Sequence, residues 1–358
     1  MRRFKGMLLI MVLVMALMLA TSVMAVSKKP TIGVSVPVLA NPFWQRYVNF
    51  VKQVADQLGV EVKIVDCQNN EGKQIMDIEN LIAAGVDGLV VTPQTAQVGP
   101  AIIKRAELAG IPIVITDRWP GIDPRKYQWD GYVGFIGPDD VDTGYKIAKT
   151  LIVELGKKNL VAINGVHGAS VAEGRYAGLA KALKEFPQAK LIAVQWIGET
   201  PDLGIQVMEN YLAAYPGLFD GVWCYNDALA VGAIKALRDA GFGDKLLSHE
   251  IAVVGMDLNP DAVELIKEGW YYASFGGHWL QGGFGLIMLY DYLKGYPPKP
   301  EYRVVRLKLM KVTKENVDAF LDQYIKHPPS IDARKLSRAF NPQATGKYFF
   351  EIKIKEQK

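Results

Sequence analysis

Residues 31–66 read TIGVSVPVLANPFWQRYVNFVKQVADQLGVEVKIVD, with a short apolar run on either side of a longer segment. The runs at 31–36 and 61–66 predict strands. The Asn-Pro pair between them predicts a helix over 41–58, because an asparagine cap followed by proline in the first turn is typical of helix starts. Apolar strands that alternate with helices indicate an α/β fold, with a parallel sheet covered on both faces.

The same alternation continues along most of the chain. Further strands are predicted at 88–92, 111–116, 132–136, 160–164, 191–196, 221–224, 251–256 and 271–275, with helices between them. One open sheet does not comfortably hold so many strands, so the pattern predicts two doubly wound parallel-sheet lobes. After them we expect a strand at 302–312, a helix at 313–325 and a tail at 326–358, in which the pattern fades.

The N-terminus has the order of a secretory signal peptide. Three basic residues precede an apolar run at 7–20, and small residues lead to an expected cleavage after Ala25. A permanent membrane anchor is the alternative, but the run is short for a bilayer span. We therefore expect residues 1–25 to be removed on export to the periplasm.

The charge balance of the remaining chain argues against two classes of partner. The full chain has 41 Lys and Arg against 37 Asp and Glu, and without the three basic residues of the signal segment 38 oppose 37. A near-neutral body has no electrostatic reason to bind nucleic acid or an anionic membrane.

The two cysteines give no sign of a metal site. Cys67 and Cys224 lie in different halves of the chain, and neither has metal-ligand spacing. We therefore expect no metal and no cofactor. A disulfide between the two in an oxidising compartment is an open alternative.

Polar and aromatic side chains follow the ends of the predicted strands. Because ligands bind outside the carboxyl ends of the strands in an open parallel sheet, we expect these side chains to meet at one site. They are Asn41, Phe43, Trp44, Asp117, Arg118, Trp119, His167, Arg175, Asn226, Asp227 and Asp257. Aromatic rings stack on the apolar faces of a sugar, and Asp, Asn and Arg form directional hydrogen bonds with its hydroxyls. The set indicates a site for a small polar ligand, a sugar.

The chain resembles the type I periplasmic binding proteins of sugar ABC transporters, the ribose- and galactose-binding group, over residues 29–325. The resemblance rests on short motifs that follow one another in order and spacing behind a signal peptide. They are Asn41-Pro42-Phe43-Trp44, Ile115-Thr116-Asp117-Arg118, Gly174-Arg175, residues 225–233 (YNDALAVGA) and Val253-Val254-Gly255-Met256-Asp257.

This resemblance implies two lobes joined by three crossovers, near 136–138, 274–277 and 297–302. The N-terminal lobe is expected to comprise 30–136 and 277–297, and the C-terminal lobe 137–276 and 298–325. Glycines suit hinges because they absorb backbone rotation, although each is also compatible with an ordinary loop. The candidates are Gly134, Gly137, Gly276 and Gly277.

The resemblance also implies roles in ligand binding. Asn41, Asp117 and Arg118 would bind hydroxyls from the first lobe, while Phe43 and Trp44 contact the ring. From the second lobe, hydroxyls would be bound by Arg175, Asn226 and Asp257. Each residue has a structural alternative: the asparagines and Asp257 as caps or turn residues, the aromatics as core, Asp117 and Arg118 as an ion pair, and Arg175 as a solvated side chain.

The chain departs from the ribose-binding pattern at three points, one of which is Pro37 at the end of the first strand, where a small polar residue is commoner. Where that pattern has an aromatic residue after the seventh strand, this chain has Gly198-Glu199-Thr200, with Trp196 nearby. Where it has a glutamine at the second crossover, this chain has Gly276-Gly277-His278, and Gln281 lies further on. Trp196, Glu199 and His278 are therefore added to the candidate site residues, and ribose itself is not expected as the ligand.

Other functional classes are weaker interpretations. A repressor with this lobe architecture carries an N-terminal helix-turn-helix, where this sequence has the pattern of a signal peptide. A hydrolase requires a nucleophile elbow or a close carboxylate pair, and the sequence has neither pattern. We therefore expect no enzymatic activity, but a monomeric periplasmic protein that captures a monosaccharide or polyol and delivers it to an ABC transporter permease. The alternative is a periplasmic co-receptor for a membrane sensor kinase or chemoreceptor, which the sequence does not distinguish from a transport protein.

Overall fold

The computed structural model describes residues 29–326, 331–350 and 352–354. The predicted signal peptide, residues 1–25, lies outside these described residues. Within them, the chain forms two six-stranded sheets with flanking helices, which confirms the α/β class and the two lobes. None of the helices in this part of the chain combines the length and hydropathy that a membrane crossing requires.

The twelve strands are short and follow one another along the whole described chain. They are β1 (Thr31–Val36), β2 (Glu61–Asp66), β3 (Gly88–Val91), β4 (Ile113–Thr116), β5 (Tyr132–Pro138), β6 (Asn159–Asn164), β7 (Lys190–Trp196), β8 (Gly221–Cys224), β9 (Ala252–Asp257), β10 (Ala273–Gly276), β11 (Val304–Leu307) and β12 (Met310–Thr313).

The α-helices occupy most of the connections between strands. They are α1 (Pro42–Leu58), α2 (Glu71–Ala83), α3 (Val98–Ala109), α4 (Asp140–Lys149), α5 (Ser170–Glu185), α6 (Pro201–Ala214), α7 (Asp227–Asp239), α8 (Gly243–Leu247), α9 (Pro260–Glu268), α10 (Gln281–Leu293), α11 (Val317–Phe320) and α12 (Ala333–Leu336). Shorter 3-10 turns lie at His278–Leu280 and Pro300–Tyr302, and π-helical turns at Thr150–Glu154 and Leu321–Lys326.

The two sheets have the same strand order. The first sheet, which with its helices we call the N-lobe, runs β11-β5-β4-β3-β1-β2, and the second, the C-lobe, runs β12-β10-β9-β8-β6-β7. Neighbouring strands are parallel except for β12, which pairs antiparallel with β10. The carboxyl end of β4 in one lobe therefore corresponds to the carboxyl end of β9 in the other.

The chain passes between the sheets three times, after β5, after β10 and between β11 and β12. The third passage differs from the prediction at 297–302, because Val304–Leu307 pairs with β5 and the chain crosses only at residues 308–309. The predicted single strand at 302–312 is thus two strands in different sheets. The first half of this apolar run forms β11 and pairs with β5 of the first sheet. The second half forms β12 and pairs with β10 of the second sheet.

Helix α1 begins where the Asn-Pro pair predicts it. The Asn41 Oδ1 accepts a hydrogen bond from the Phe43 backbone N–H at 2.9 Å, and Pro42 occupies the first turn. An asparagine cap of this kind stabilises a helix by about 1 kcal/mol. Because the cap fixes the first turn at the carboxyl end of β1, it also places Phe43 and Trp44 at the edge of the sheet where ligands bind.

A buried polar network lies beneath the carboxyl ends of the strands in each lobe. In the N-lobe, the Tyr47 hydroxyl lies 2.7 Å from Thr116 Oγ1, which lies 2.9 Å from Thr92 Oγ1. In the C-lobe, the Asp227 carboxylate accepts hydrogen bonds from Ser274 and Tyr271. Satisfied networks of this kind rigidify the strand ends that carry the site.

The described part of the predicted tail packs on the N-lobe. The Asp291 carboxylate of α10 is buried and accepts hydrogen bonds from the backbone N–H groups of Arg338 and Ala339. The Gln57 side chain of α1 bonds the backbone of Ile331 and Ala333. Residues 331–350 are therefore an ordered part of this lobe, which the fading sequence pattern did not indicate.

Candidate functional site

A small cavity lies between the carboxyl ends of the two sheets. It contains about 260 Å³ of unoccupied space and is lined by aromatic, charged and amide side chains from both lobes. They are Asn41, Phe43, Trp44, Asp117, Arg118, Arg175, Glu199, Tyr225, Asn226, Asp257 and His278. We call it the ligand cavity.

An aspartate lies at the equivalent position of each lobe. Asp117 follows β4 with φ 61°, and Asp257 ends β9 with φ 129°. Positive φ is costly for residues other than glycine and is concentrated at functional sites. The backbone conformation at the end of each of these strands thus directs one carboxylate from each lobe into the same cavity.

A glycine on the neighbouring strand accommodates each aspartate. A Cβ at Gly137 of β5 would lie 2.7 Å from the Asp117 carbonyl oxygen, and a Cβ at Gly276 of β10 would lie 2.7 Å from that of Asp257. Any other residue would force these backbones apart. Both glycines are among the predicted hinge positions, so the crossovers and the site aspartates are in direct contact.

Asp117 is held from its own lobe. Its Oδ1 accepts a hydrogen bond of 2.6 Å from Gln281 Nε2, at the start of α10. The carboxylate is buried, which raises its pKa, while the charges of Arg118 and Arg175 act in the opposite direction. Gln281, which follows the second crossover, therefore positions the Asp117 carboxylate.

Arg118 reaches from the N-lobe to the C-lobe. Its Nη1 donates to the Gln94 carbonyl, and its Nη2 lies 3.3 Å from Glu199 Oε1 across the cleft. The Nε is buried and has no hydrogen-bond partner among the described residues. The predicted pair with Asp117 is long, at 3.9 Å, so Glu199 is the closer carboxylate.

Arg175 is fixed within the C-lobe. Its Nε donates to Asp140 Oδ1 and its Nη1 to the Tyr225 carbonyl, each at 3.0 Å, and its guanidinium lies 4.4 Å from the Tyr225 ring centroid. Burial raises the pKa of Asp140 to about 7, against the opposing charge of Arg175. The arginine is therefore buried and partnered rather than solvated.

The aromatic wall consists of Phe43, Trp44 and His278. Phe43 meets Trp44 edge-on at 4.9 Å and the His278 ring at 4.5 Å with a 33° tilt. His278 Nε2 lies 3.6 Å from Asp257 Oδ1, and His278 Nδ1 has no partner among the described residues. Burial and the charges of Arg175 and Arg46 lower the pKa of His278 well below its usual value, so the imidazole is neutral.

The two site asparagines are helix caps as well as cavity residues. Asn41 Oδ1 accepts from Phe43 N, and Asn226 Oδ1 accepts from Leu229 N at 3.0 Å. The oxygen of each amide is thereby used, and the Nδ2 group remains to donate to a ligand. The structural and the functional interpretations of these residues are therefore compatible.

Four of the residues expected at the site do not line the ligand cavity: Trp119, His167, Trp196 and Asp227. The Trp196 ring packs against His167 at 4.7 Å and Tyr176 at 5.2 Å. Its strand, β7, is the edge strand of the C-lobe sheet, so its end lies away from the sheet centre. The loop that follows nevertheless brings Glu199 to the cavity.

Three contributing residues were not selected from the sequence. Tyr225 lies inside the 225–233 motif and lines the cavity, so its position after β8 was an available signal. Asp140 and Gln281 act through Arg175 and Asp117. An acid in a first helical turn and a glutamine 164 residues from its partner give no local signal.

The remaining polar chemistry of the described residues is limited. Within the described ranges, no group of three or more His, Cys, Asp or Glu side chains is placed to hold a metal ion. Cys67 and Cys224 are both buried free thiols. The ligand cavity therefore offers hydrogen bonds, charge and aromatic faces.

Comparisons with known proteins identify similar periplasmic binding proteins. The family profile described as "Periplasmic binding protein domain" matches residues 32–297. The ribose import binding protein of Bacillus subtilis (strain 168) is 32% identical over 242 residues, covering 67% of this chain and 74% of that protein.

Two solved structures with the same fold are those of sugar-binding proteins. The periplasmic binding component of the arabinose ABC transporter from Shewanella sp. ANA-3, bound to α- and β-L-arabinofuranose, has a TM-score of 0.76 and 27% identity, covering 83% of this chain and 96% of that one. The fructose-binding periplasmic domain of a hybrid two-component system has a TM-score of 0.70 and 25% identity, covering 81% and 93%.

Proposed function

Because this chain belongs to the periplasmic binding protein family, in its type I sugar-binding group, we propose that it captures a monosaccharide or a related polyol between its two lobes and delivers it to an ABC transporter permease. One observation carries the proposal. Asp117 and Asp257 approach one small cavity from opposite lobes, beside an aromatic wall. A polyhydroxylated ring is the ligand that uses both kinds of contact at once.

The chemistry of the cavity lining supports a single sugar ring as the ligand. Phe43 and Trp44 offer apolar faces to the C–H side of a ring. The two carboxylates accept hydrogen bonds from hydroxyls, and the amide nitrogens of Asn41 and Asn226 donate to them.

The charge distribution supports a neutral ligand. The guanidinium groups of Arg118 and Arg175 already face the carboxylates of Glu199 and Asp140. An anionic ligand entering the cavity would meet the carboxyl groups of Asp117 and Asp257, while both arginines already face a carboxylate of the protein. Like charges this close in a buried site are strongly unfavourable, so sugar acids and sugar phosphates are poor candidates.

Capture follows from contacts that cross the cleft. Arg118 reaches Glu199, and Arg46 Nη1 donates to the Leu258 carbonyl at 2.6 Å. Because a ligand bonded to both lobes interacts more favourably with the closed form than with the open one, it shifts the lobes toward closure. We further propose that the protein acts in the periplasm as a monomer, after cleavage near Ala25, and that it catalyses no reaction.

A thermal-shift panel on the protein lacking residues 1–25 tests the proposal. Monosaccharides, polyols, sugar acids and amino acids are each added in excess. A neutral sugar or polyol at 100 times its Kd should stabilise the fold by about 2.7 kcal/mol and raise Tm. The doubly substituted control Asp117→Ala, Asp257→Ala should lose this shift, which separates binding from non-specific stabilisation by solutes. A shift only with anions or amino acids would refute the proposal.

Ligand sensing is a second candidate function. The similarity to the fructose-binding periplasmic domain of a hybrid two-component system supports it. The same closure would then present its ligand state to a membrane sensor. Reconstitution with the membrane protein encoded beside this one distinguishes the two, since a permease complex should import the ligand and a sensor kinase should change its autophosphorylation.

A further inference from the structure

Glu199 is fixed at the side of the ligand cavity by partners from both lobes. It lies in the loop between β7 and α6, and 9% of its side chain is exposed. Its Oε1 accepts a hydrogen bond from the Tyr225 hydroxyl at 3.0 Å and lies 3.3 Å from Arg118 Nη2. Tyr225 belongs to the C-lobe and Arg118 to the N-lobe, so the carboxylate cannot turn aside without losing one of these contacts.

A second cavity between the lobes adjoins the first. This outer cavity has about 730 Å³ of unoccupied space, part of it open to solvent. Its walls include Val38 and Pro42 of the N-lobe and Thr200 and Pro201 of the C-lobe. Among the described residues, Asn41 and Glu199 are the ones that line both cavities.

These two shared residues differ in how their side chains are held. The side chain of Asn41 is tied to the start of α1 by its capping bond, within the N-lobe. Glu199 is carried by a loop, and its carboxylate is the group held between the lobes. Glu199 therefore stands between the ligand cavity and the outer cavity, and its carboxylate is the part of this boundary that contacts both lobes.

We propose that Glu199 is a size-limiting specificity residue, whose fixed carboxylate confines the ligand to one unsubstituted sugar ring. This inference rests on the proposed function, because it presupposes a sugar in the ligand cavity. A substituent extending toward the outer cavity has to displace the carboxylate from Arg118 and Tyr225. The Arg118 Nη2 group and the Tyr225 hydroxyl would then be buried without their carboxylate partner, which disfavours the substituted sugar.

Matched pairs of ligands test this role. D-Ribose, D-xylose, L-arabinose and D-galactose, each with its two methyl glycosides, are titrated by calorimetry into wild type, Glu199→Ala and Glu199→Gln. The control Asp202→Asn removes an exposed acid three residues away. The readout is the ratio of the two Kd values, glycoside to free sugar, because a general loss of closure weakens both ligands and leaves their ratio unchanged.

The wild type should bind the free sugar at least about tenfold more tightly than one of its methyl glycosides, the usual effect of a misplaced methyl group. Glu199→Ala should reduce that ratio by about tenfold, because it joins the two cavities. Glu199→Gln preserves the wall and should keep the wild-type ratio, as should Asp202→Asn.

Three results would overturn the inference. Equal binding of both methyl glycosides and the free sugar by wild type would show that no wall exists. An unchanged ratio in Glu199→Ala would show that another residue sets the size limit. Binding of none of these sugars or glycosides by wild type would remove the premise, and would count against the proposed function as well.

Discussion

The two lobes share a frame but bring different chemistry to the cavity. Their sheets have the same strand order, and Asp117 and Asp257 occupy equivalent strand ends, each beside a glycine of the next strand. Both lobes contribute an arginine to the lining, but the N-lobe adds the aromatic rings of Phe43 and Trp44, and the C-lobe adds the Glu199 carboxylate. We therefore expect the repeated frame to set where a ligand binds, and the loops that differ to set which ligand binds.

The lobes also differ in how tightly each aspartate is held. Asp117 accepts a hydrogen bond of 2.6 Å from Gln281, whereas the His278 ring lies 3.6 Å from the Asp257 carboxylate. Burial raises the pKa of both carboxyl groups. The N-lobe aspartate is thus preorganised by the fold, while the C-lobe aspartate keeps more of its hydrogen-bonding capacity for the ligand.

The largest expected effect comes from removing either aspartate. Asp117→Ala and Asp257→Ala should each weaken sugar binding by about ten- to a hundredfold, the effect of losing a charge-assisted hydrogen bond of about 1.5–3 kcal/mol. Calorimetry measures the affinity, and circular dichroism checks the fold. Asp130→Ala and Asp202→Ala, exposed acids of the two lobes, serve as matched controls. Wild-type affinity in either site variant would remove that lobe's aspartate from the site.

A smaller effect is expected in the pH dependence of folding. Since the pKa of His278 is lowered in the folded protein, the unfolded chain binds this proton more readily, and stability falls as the pH drops below about 6.5. Wild type should lose up to about 1 kcal/mol more than His278→Asn between pH 6.5 and 5.5.

Urea titrations of both proteins at the two pH values measure this difference. The buried acids Asp140 and Asp227 have pKa values raised to about 7, mainly by burial, so they favour the folded state as the pH falls. Their contribution is common to both proteins and cancels in the comparison. Asp257, 3.6 Å from the His278 ring, faces an uncharged side chain in both the wild type and His278→Asn. Equal pH slopes would mean that His278 is protonated in the folded protein.

The smallest effect is expected at Gln281, which positions Asp117 without lining the cavity. Gln281→Ala should weaken binding by about two- to tenfold, or 0.5–1.5 kcal/mol, because Asp117 loses its anchor. In an Asp117→Ala background the same substitution should have little further effect, since residues in one network do not act additively. Full additivity in this double-mutant cycle would contradict the positioning role.

Much of the fold follows from local sequence patterns. The asparagine cap and proline at 41–42 predict α1 correctly, and runs such as 31–36 predict central strands, because these signals depend on neighbouring residues. The third crossover was misplaced because one apolar run serves two sheet edges. Which edge each half pairs with is decided by tertiary structure.

The site was predictable to the extent that it lies at strand ends. Asp117 and Asp257 could be placed because each directly follows the apolar core of a strand. Trp196 also ends a strand, but that strand is at the sheet edge, where the same rule places a residue away from the cavity. Gln281 depends on a contact 164 residues away, which no local pattern encodes.

The central claim is that one ligand joins two lobes that move. Small-angle scattering measures it directly, on the protein lacking residues 1–25, without and with a saturating amount of the sugar that gives the largest thermal shift. The radius of gyration should fall on addition of the sugar, and the Asp117→Ala, Asp257→Ala variant should show no contraction. An unchanged radius of gyration in wild type, with binding confirmed by calorimetry in the same sample, would contradict closure and indicate a rigid site.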